Sequence, residues 1–285
     1  MDNFKGRTAF ITGGARGIGL GIARACAKAG ITLALVDVDE NALAQARTEL
    51  SDLTRTETYL LDVRDREAYE RVADQVESDL GPVSLLFNNA GVHEFISPTQ
   101  MNYTLWDWVI GVNLGGVYNG MQTFVPRMIN RGGDSYIVNS ASAAGLVPAG
   151  TGFLYETSKF GIVGLTESMR AELARFGIGV SLLCPGAVAT DILRNAHRLR
   201  PEHAPAQSQQ HAEKLEKAHA VLNNSNVTND DAGQLALDAI REERLYIPTD
   251  DSVVPALTAR TEAIIAAMSS ARHVAEFAGW DGSTT

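Results

Sequence analysis

An α/β fold with one doubly wound parallel sheet of about seven strands and helices on both faces is predicted by three features of this chain. Short apolar runs alternate with helix-like segments over the first two thirds. A glycine cluster separates the first run from the first helix. An acidic residue, Asp37, ends the second run. Strand-to-strand crossovers through helices are right-handed, so the alternation builds a sheet covered on both sides.

The elements follow in order. The run at 7–12 (RTAFIT) halts at glycines, and a helical pattern then reaches Gly30. Residues 31–37 (ITLALVD) read as a buried strand, followed by a helix over 40–53. Residues 56–62 form the third strand and 66–80 a helix that Gly81-Pro82 stops; 83–89 form the fourth strand. A long helix covers about 102–130, a strand 135–140, a helix 153–176 and a strand 179–184 ending at Pro185-Gly186. After Asp191 the texture becomes polar. Residues 192–228 read as an excursion, a helical substrate lid in which KLEKAHAVL (214–222) is amphipathic. A helix at 230–243, an edge strand at 244–248 and a helical tail close the pattern. The tail puts Leu257, Ile264, Ile265 and Met268 on one face. With neither an internal repeat nor a linker, residues 1–285 read as one domain with a lid at 192–228 and a C-terminal extension at 250–285.

Composition narrows the function. The 285 residues are 45% hydrophobic and 20% charged, ordinary for a globular chain. A formal net charge of -10 without a Lys/Arg run disfavours nucleic acid and anionic membrane as partners. The two cysteines, Cys26 and Cys184, lie in apolar settings and read as buried thiols in a reducing compartment. The first apolar run is too short for an export signal, and no apolar stretch approaches membrane-spanning length, so the expected location is cytoplasmic.

The loop T-G-G-A-R-G-I-G (12–19) can carry a phosphate. Gly13, Gly17 and Gly19, with Arg16 and Ile18 between them, bring backbone close to a pyrophosphate at the N-terminus of the next helix. A plain tight turn is the alternative. Asp37 stands at the distance where a dinucleotide's ribose would be read. Its carboxylate accepts from a 2′-hydroxyl and repels a 2′-phosphate, which favours NAD. Arg16 is the dissenting cation, and capping the next helix is the structural alternative for Asp37. Farther on, Tyr155 and Lys159 stand four apart and share a helix face. An ammonium beside a phenol lowers its pKa from about 10 and suits it to acid–base work. A packed tyrosine with a snorkelling lysine is the structural alternative.

Taken together, these residues resemble the short-chain dehydrogenase/reductase family in its compact, Rossmann-like form, over about residues 5–191. T-G-x-x-x-G-x-G matches Thr12, Gly13, Gly17 and Gly19. N-N-A-G matches Asn88, Asn89, Ala90 and Gly91, and an Asp-Val pair on the adenine matches Asp62 and Val63. The resemblance implies a catalytic set of Asn113, Ser142, Tyr155 and Lys159, with Ser140 the competing serine; Ser142 lies thirteen residues before Tyr155. Pro185, Gly186, Val188 and Thr190 match the turn that holds the nicotinamide carboxamide. It further implies NAD as cofactor, no metal, and hydride transfer between a secondary alcohol and a ketone. Tyr155 would exchange the proton, Lys159 would depress its pKa and hold the ribose, Ser142 would bind the developing oxyanion, and Asn113 would hold a water linked to Lys159. Assembly as a homodimer or homotetramer through the long helices follows from the same likeness.

The expected pocket walls are His93, Glu94 and Phe95, then Leu146, Val147, Phe153 and Leu154, then the excursion from Ile192. They are mostly apolar, and no Lys or Arg pair is placed to clamp an anion near Tyr155. A hydrophobic or aromatic substrate is therefore expected, loosely resembling the benzylic aryl-ether or sterol-sized alcohols of bacterial relatives. His93 either touches substrate or closes a loop. His197, His203, His211 and His219 read as solvated lid residues. Three alternatives stay open: a noncatalytic NAD-binding sensor or scaffold, an NADP-preferring ketone reductase, and a sugar-nucleotide epimerase or dehydratase.

Overall fold

The computed structural model describes residues 4–207 and 209–269. Its seven strands are β1 (Thr8–Thr12), β2 (Thr32–Asp37), β3 (Thr56–Leu60), β4 (Val83–Asn88), β5 (Ser135–Ser140), β6 (Ile178–Cys184) and β7 (Tyr246–Pro248). They pair in the order β3-β2-β1-β4-β5-β6-β7, every pair parallel. The order reverses between β1 and β4, and that switch point opens a crevice beyond the carboxyl ends of the strands.

Side chains of period two divide the core between the faces. Ala9 and Ile11 of β1 join one cluster with α1 (Gly17–Lys28), α2 (Glu40–Leu50) and α9 (Asn229–Glu242). Phe10 joins the opposite cluster with α3 (Arg66–Leu80), α5 (Gly116–Arg131) and α6 (Phe153–Ala174). Glycine lets α1 and α9 touch: a Cβ on Gly21 would stand 1.9 Å from the Asn229 carbonyl oxygen, so only hydrogen fits.

Three features go beyond what the sequence shows. The long helix runs over 103–131 as expected but changes pitch midway. α4 (Tyr103–Ile110) passes into a widened π turn at Gly111–Gly115 before α5 begins, and this extra residue per turn re-aims Asn113 inward. The excursion is more ordered than its polar texture implies, with α7 (Ile192–Leu199) and α8 (Gln209–Asn223); Leu193 and Ala196 anchor α7 by burial. The tail's apolar face does not enter the core. α10 (Val254–Ser269) buries no residue, and Ile265 and Met268 are 57% and 70% exposed. The expected extension beyond Ser269 and residues 1–3 lie outside the described residues. No helix among the described residues is long and apolar enough to cross a membrane.

Candidate active site

The crevice is one continuous cavity of about 890 Å³ over the carboxyl ends of β1, β4, β5 and β6. At its β1 side, α1 starts without a side-chain cap, so its first N–H groups point toward the cavity with no competing acceptor from Arg16. Gly17 has φ +52°, and a Cβ there would project toward Thr190 across the cleft, 3.8 Å from its methyl carbon. Behind the loop, a Cβ on Gly19 would come 2.0 Å from the Gly13 carbonyl oxygen, so helix and loop nest only as glycine. Uncapped amides facing a gap that a side chain would fill are the surroundings a pyrophosphate needs, and the residues fit a dinucleotide.

Asn89 ties this loop to the sheet. Its amide nitrogen donates to the carbonyls of Thr12 (3.2 Å) and Gly13 (3.4 Å), while the Thr12 hydroxyl accepts from the N–H groups of Asn89 and Ala90. Asp37, at the end of β2, accepts from Asp39 N–H at 3.1 Å and Ala15 N–H at 3.4 Å; burial lifts its pKa above the ordinary carboxylate value, only partly offset by these donors. Asp37 is not the helix cap. Asp39 caps α2 through Ala42 N–H, and its other oxygen takes both Arg16 (2.9 Å) and Arg198 of α7 (2.6 Å). Partial burial opposes the charge on Asp39, but the Ala42 amide and the two guanidiniums outweigh it and hold the pKa at about 2. Arg16, expected as a free cation, is thus already committed to a carboxylate. Asp62 is also engaged, in a fork with Arg64 at 2.6–3.0 Å. Val63 packs under Gly116, and Gly91 lies beside both Asn113 and Lys159.

The inner end holds Tyr155, Lys159, Ser142 and Ser140, all facing the cavity. One turn of α6 separates phenol and amine, and the Lys159 Nζ stands 5.5 Å from the centre of the Tyr155 ring. Lys159 donates to the Ser140 carbonyl at 2.9 Å. Ser142 Oγ donates to the Pro185 carbonyl at 3.3 Å and accepts from Ala144 N–H at 3.1 Å, and it stands near enough to the Tyr155 hydroxyl to oppose the rise in its pKa. Ser140 instead donates to Asn89 at 3.3 Å, which separates the two candidate serines. Burial sets the local electrostatics. It pushes the Tyr155 phenol up, with Ser142 pulling the other way, and lowers Lys159 to about 8. The expected lowering of the phenol by its ammonium neighbour is therefore reversed: both groups are desolvated, and desolvation favours their neutral forms.

Asn113 lies one layer behind the cavity wall. Its side chain accepts from Val92 N–H at 2.8 Å and donates to the Val92 carbonyl and to Ser158 Oγ, each at 2.9 Å. Ser158 in turn donates to the Tyr155 carbonyl at 2.6 Å. The π turn thus fixes the first turn of α6, where the phenol sits.

Every proposed dinucleotide contact except Gly19 lines the cavity, including Ile18, Ala90, Gly186, Val188 and Thr190. The substrate walls differ more. His93 and Phe95 face it, but Glu94 turns away into a buried pair with Arg200 Nε at 2.8 Å. Phe153 and Leu154 pack with Leu105 and Trp108, and Leu146 joins the core; the walls are instead Val92, Trp108, Val112 and the 149–151 loop. His93 stacks 4.6 Å from the Tyr155 ring, and burial, partly offset by a Thr151 backbone hydrogen bond, drops its pKa to about 4. His211 is not solvated. It is 7% exposed, 2.6 Å from the Phe95 carbonyl and 3.3 Å from Glu94. Sequence reading also missed Arg198, Arg200, Lys214 and Lys217. The i, i+3 spacing of the two lysines before Ala218, Val221 and Leu222 was the available signal.

Comparison with known proteins assigns the class. A family model described as short chain dehydrogenase matches residues 7–200. The chain belongs to the short-chain dehydrogenase/reductase family, oxidoreductases that use NAD or NADP. Among relatives, it is 42% identical over 203 residues to a C alpha-dehydrogenase of Sphingobium sp. (strain NBRC 103272 / SYK-6); the match covers 70% of this chain and 66% of that relative, just under two thirds of its length. It is 30% identical over 278 residues to a CLA biosynthesis dehydrogenase/reductase of Lactiplantibacillus plantarum, covering 93% and 95% of the two chains. The crystal structure of a short chain dehydrogenase/reductase from Burkholderia phymatum in complex with NAD superposes with a TM-score of 0.90 at 33% identity, over 97% of this chain and all (100%) of that one.

Proposed function

We propose that this protein interconverts a hydrophobic secondary alcohol and the corresponding ketone, with NAD as cofactor. The observation that carries the reading is the buried Tyr155–Lys159 pair at the inner end of the cavity, with Ser142 lining the same end. The bound dinucleotide supplies the hydride acceptor or donor at its nicotinamide ring.

In oxidation, the Tyr155 oxygen takes the carbinol proton, and in reduction it returns one. Ser142 donates to the substrate oxygen as negative charge develops there. Lys159, which donates to the Ser140 carbonyl, is the group that would meet the nicotinamide ribose. Asn113 is a positioning residue, acting through Ser158 and Val92. The glycine loop and the first amides of α1 bind the pyrophosphate, Asp37 receives the ribose hydroxyls, and Pro185 to Thr190 border the nicotinamide. The unpaired lone pairs of Asp37 and the prior commitment of Arg16 to Asp39 both support NAD over NADP. The NAD in the Burkholderia structure supports the same choice.

The 192–228 segment acts as a lid within one domain. Arg198 closes on Asp39, while Arg200 and His211 close on Glu94 and the Phe95 carbonyl. A dry cavity strengthens the interactions at the phenol. Exposed Tyr103 and Tyr118, on α4 and α5, support association as a homodimer or homotetramer through those helices, which light scattering would test. The function itself is tested by following reduced cofactor over a panel of aromatic, steroid and polyol alcohols with NAD and NADP. Turnover of secondary alcohols with a higher kcat/KM for NAD is expected. Cofactor binding without turnover of any panel member would instead favour the sensor reading.

A further inference from the structure

The lid carries two cations that the mechanism above does not use. On α8, Lys214, Lys217, Ala218, Val221 and Leu222 all line the cavity. Their spacing of i, i+3, i+4, i+7 and i+8 is one helix face, so this face is the roof of the cavity. Its first part is cationic and its second part apolar.

The other cations lining the cavity are already engaged. Arg16 and Arg198 share Asp39, Arg64 holds Asp62, and Lys159 donates to the Ser140 carbonyl. Among the described residues, Lys214 and Lys217 make no hydrogen bond and no ion pair. Of the lining carboxylates, Asp62 receives Arg64 and Asp191 faces Arg194 at 3.6 Å, and Asp37 makes no ion pair with either lysine. Both lysines keep solvent access and share α8 with Glu213 and Glu216, so what marks them is their place: two cations without an ion pair on one wall of a mostly apolar cavity.

Their place along α8 separates them from the cofactor's phosphates. His211, on the same face, is anchored at 2.6 Å to the carbonyl of Phe95, a wall residue on the substrate side of the cavity. At a rise of about 1.5 Å per residue, Lys214 and Lys217 follow that anchor by roughly 4.5 and 9 Å. The pyrophosphate cradle at Gly17 faces Thr190, which leads into α7. The far end of α8 comes down at Ser225, whose hydroxyl bonds the Ala187 carbonyl beside the nicotinamide turn.

We propose that Lys214 and Lys217 form an anion subsite for a carboxylate carried by the substrate, remote from the carbinol that Tyr155 serves. The substrate class becomes an amphiphilic hydroxy acid: a secondary alcohol at one end, an apolar body along Phe95, Trp108 and Val221, and an anionic head under the roof. This rests on the reading of the cavity as a secondary-alcohol site.

The test uses a homologous series of 1-(4-alkoxyphenyl)ethanols whose alkoxy chains of increasing length end in a carboxylate, each paired with its methyl ester. The full-length enzyme is assayed with NAD, and the acid-to-ester ratio of kcat/KM is read at each length. Two partly screened ion pairs are expected to raise that ratio to roughly tenfold at the best length, and added salt to reduce it. Lys214→Ala with Lys217→Ala should bring the ratio to within about twofold of unity, and Lys214→Arg with Lys217→Arg should retain it. NADH affinity, measured by fluorescence in the same variants, reports the cofactor separately. A wild-type ratio at or below unity at every length overturns the subsite while leaving the alcohol reading intact. A loss of NADH affinity in the alanine variant that matches its loss of turnover assigns the lysines to cofactor phosphates and overturns it also. If neither acids nor esters are oxidised, the alcohol reading fails and the subsite fails with it.

Discussion

Replacing Arg200 by methionine tests whether the lid is held by charge. Glu94 is 3% exposed and its carboxylate lies 2.8 Å from Arg200 Nε; the Arg200 side chain is 13% exposed and also donates to the Pro205 carbonyl at 2.7 Å. Arg200→Met keeps most of the side-chain volume but leaves a buried carboxylate with His211, 3.3 Å away, as its remaining partner among the described residues. Breaking one partner of a buried pair costs about 3–5 kcal/mol, because the remaining charge stays out of water. That cost falls on the closed lid alone, since opening α7 and α8 returns Glu94 to solvent. The closed-to-open ratio should fall by roughly two to three powers of ten. The core makes no use of Arg200, so the global melting temperature should move little.

Hydrogen exchange followed by mass spectrometry reads this directly. Amides of 192–223 should lose protection by about that factor in Arg200→Met, while those of β4 and β5 keep theirs. KM for the alcohol should rise more than kcat falls. Adding Glu94→Gln to the variant removes the stranded charge and should restore most of the protection, a coupling that only a direct interaction produces. If protection of 192–223 changes by less than about threefold in Arg200→Met, the pair does not hold the lid and the reasoning fails.

Four further outcomes are expected. Tyr155→Phe should lower kcat by about 10²–10⁴ while NADH binding, measured by fluorescence, stays within a few fold. Burial lifts the Tyr155 phenol above its ordinary value, so the phenolate that accepts the carbinol proton grows as pH rises: alcohol oxidation should climb from pH 6.5 to 9.5, whereas ketone reduction, which needs the neutral phenol, should not. A flat oxidation profile from pH 6.5 to 9.5 would contradict that assignment. Asp39→Asn keeps a good helix cap but releases Arg16 and Arg198, so the NAD-to-NADP ratio of kcat/KM should drop by roughly tenfold. Gly120→Ala would set a Cβ 2.2 Å from Asn88 Oδ1 and 2.7 Å from the Tyr69 hydroxyl, and thermal unfolding should show a loss of about 1–3 kcal/mol.

What could be read from the sequence divides by the range of the interaction. The glycine loop, the Tyr155–Lys159 spacing and the alternation of strands with helices are legible because each requirement is met within a few residues: a close backbone approach, a shared helix face, a period of two or 3.6. The lid contacts are of the opposite kind. Arg198 meets Asp39 across 159 residues, Arg200 meets Glu94 across 106, and His211 meets Phe95 across 116. Nothing local distinguishes these side chains from solvated neighbours such as His197 or Arg194; only the path of α7 over the cleft selects them. The same limit explains the pocket walls. Phe153 and Leu154 flank the key tyrosine in sequence, but the helix turns them toward Trp108, and the wall is supplied from Val92 and Val112. It also explains the reversed phenol shift. The neighbouring amine is visible as a spacing, whereas desolvation is a property of everything packed around it. Because Lys159 is itself buried at 3% exposure, its charge cannot be taken as given.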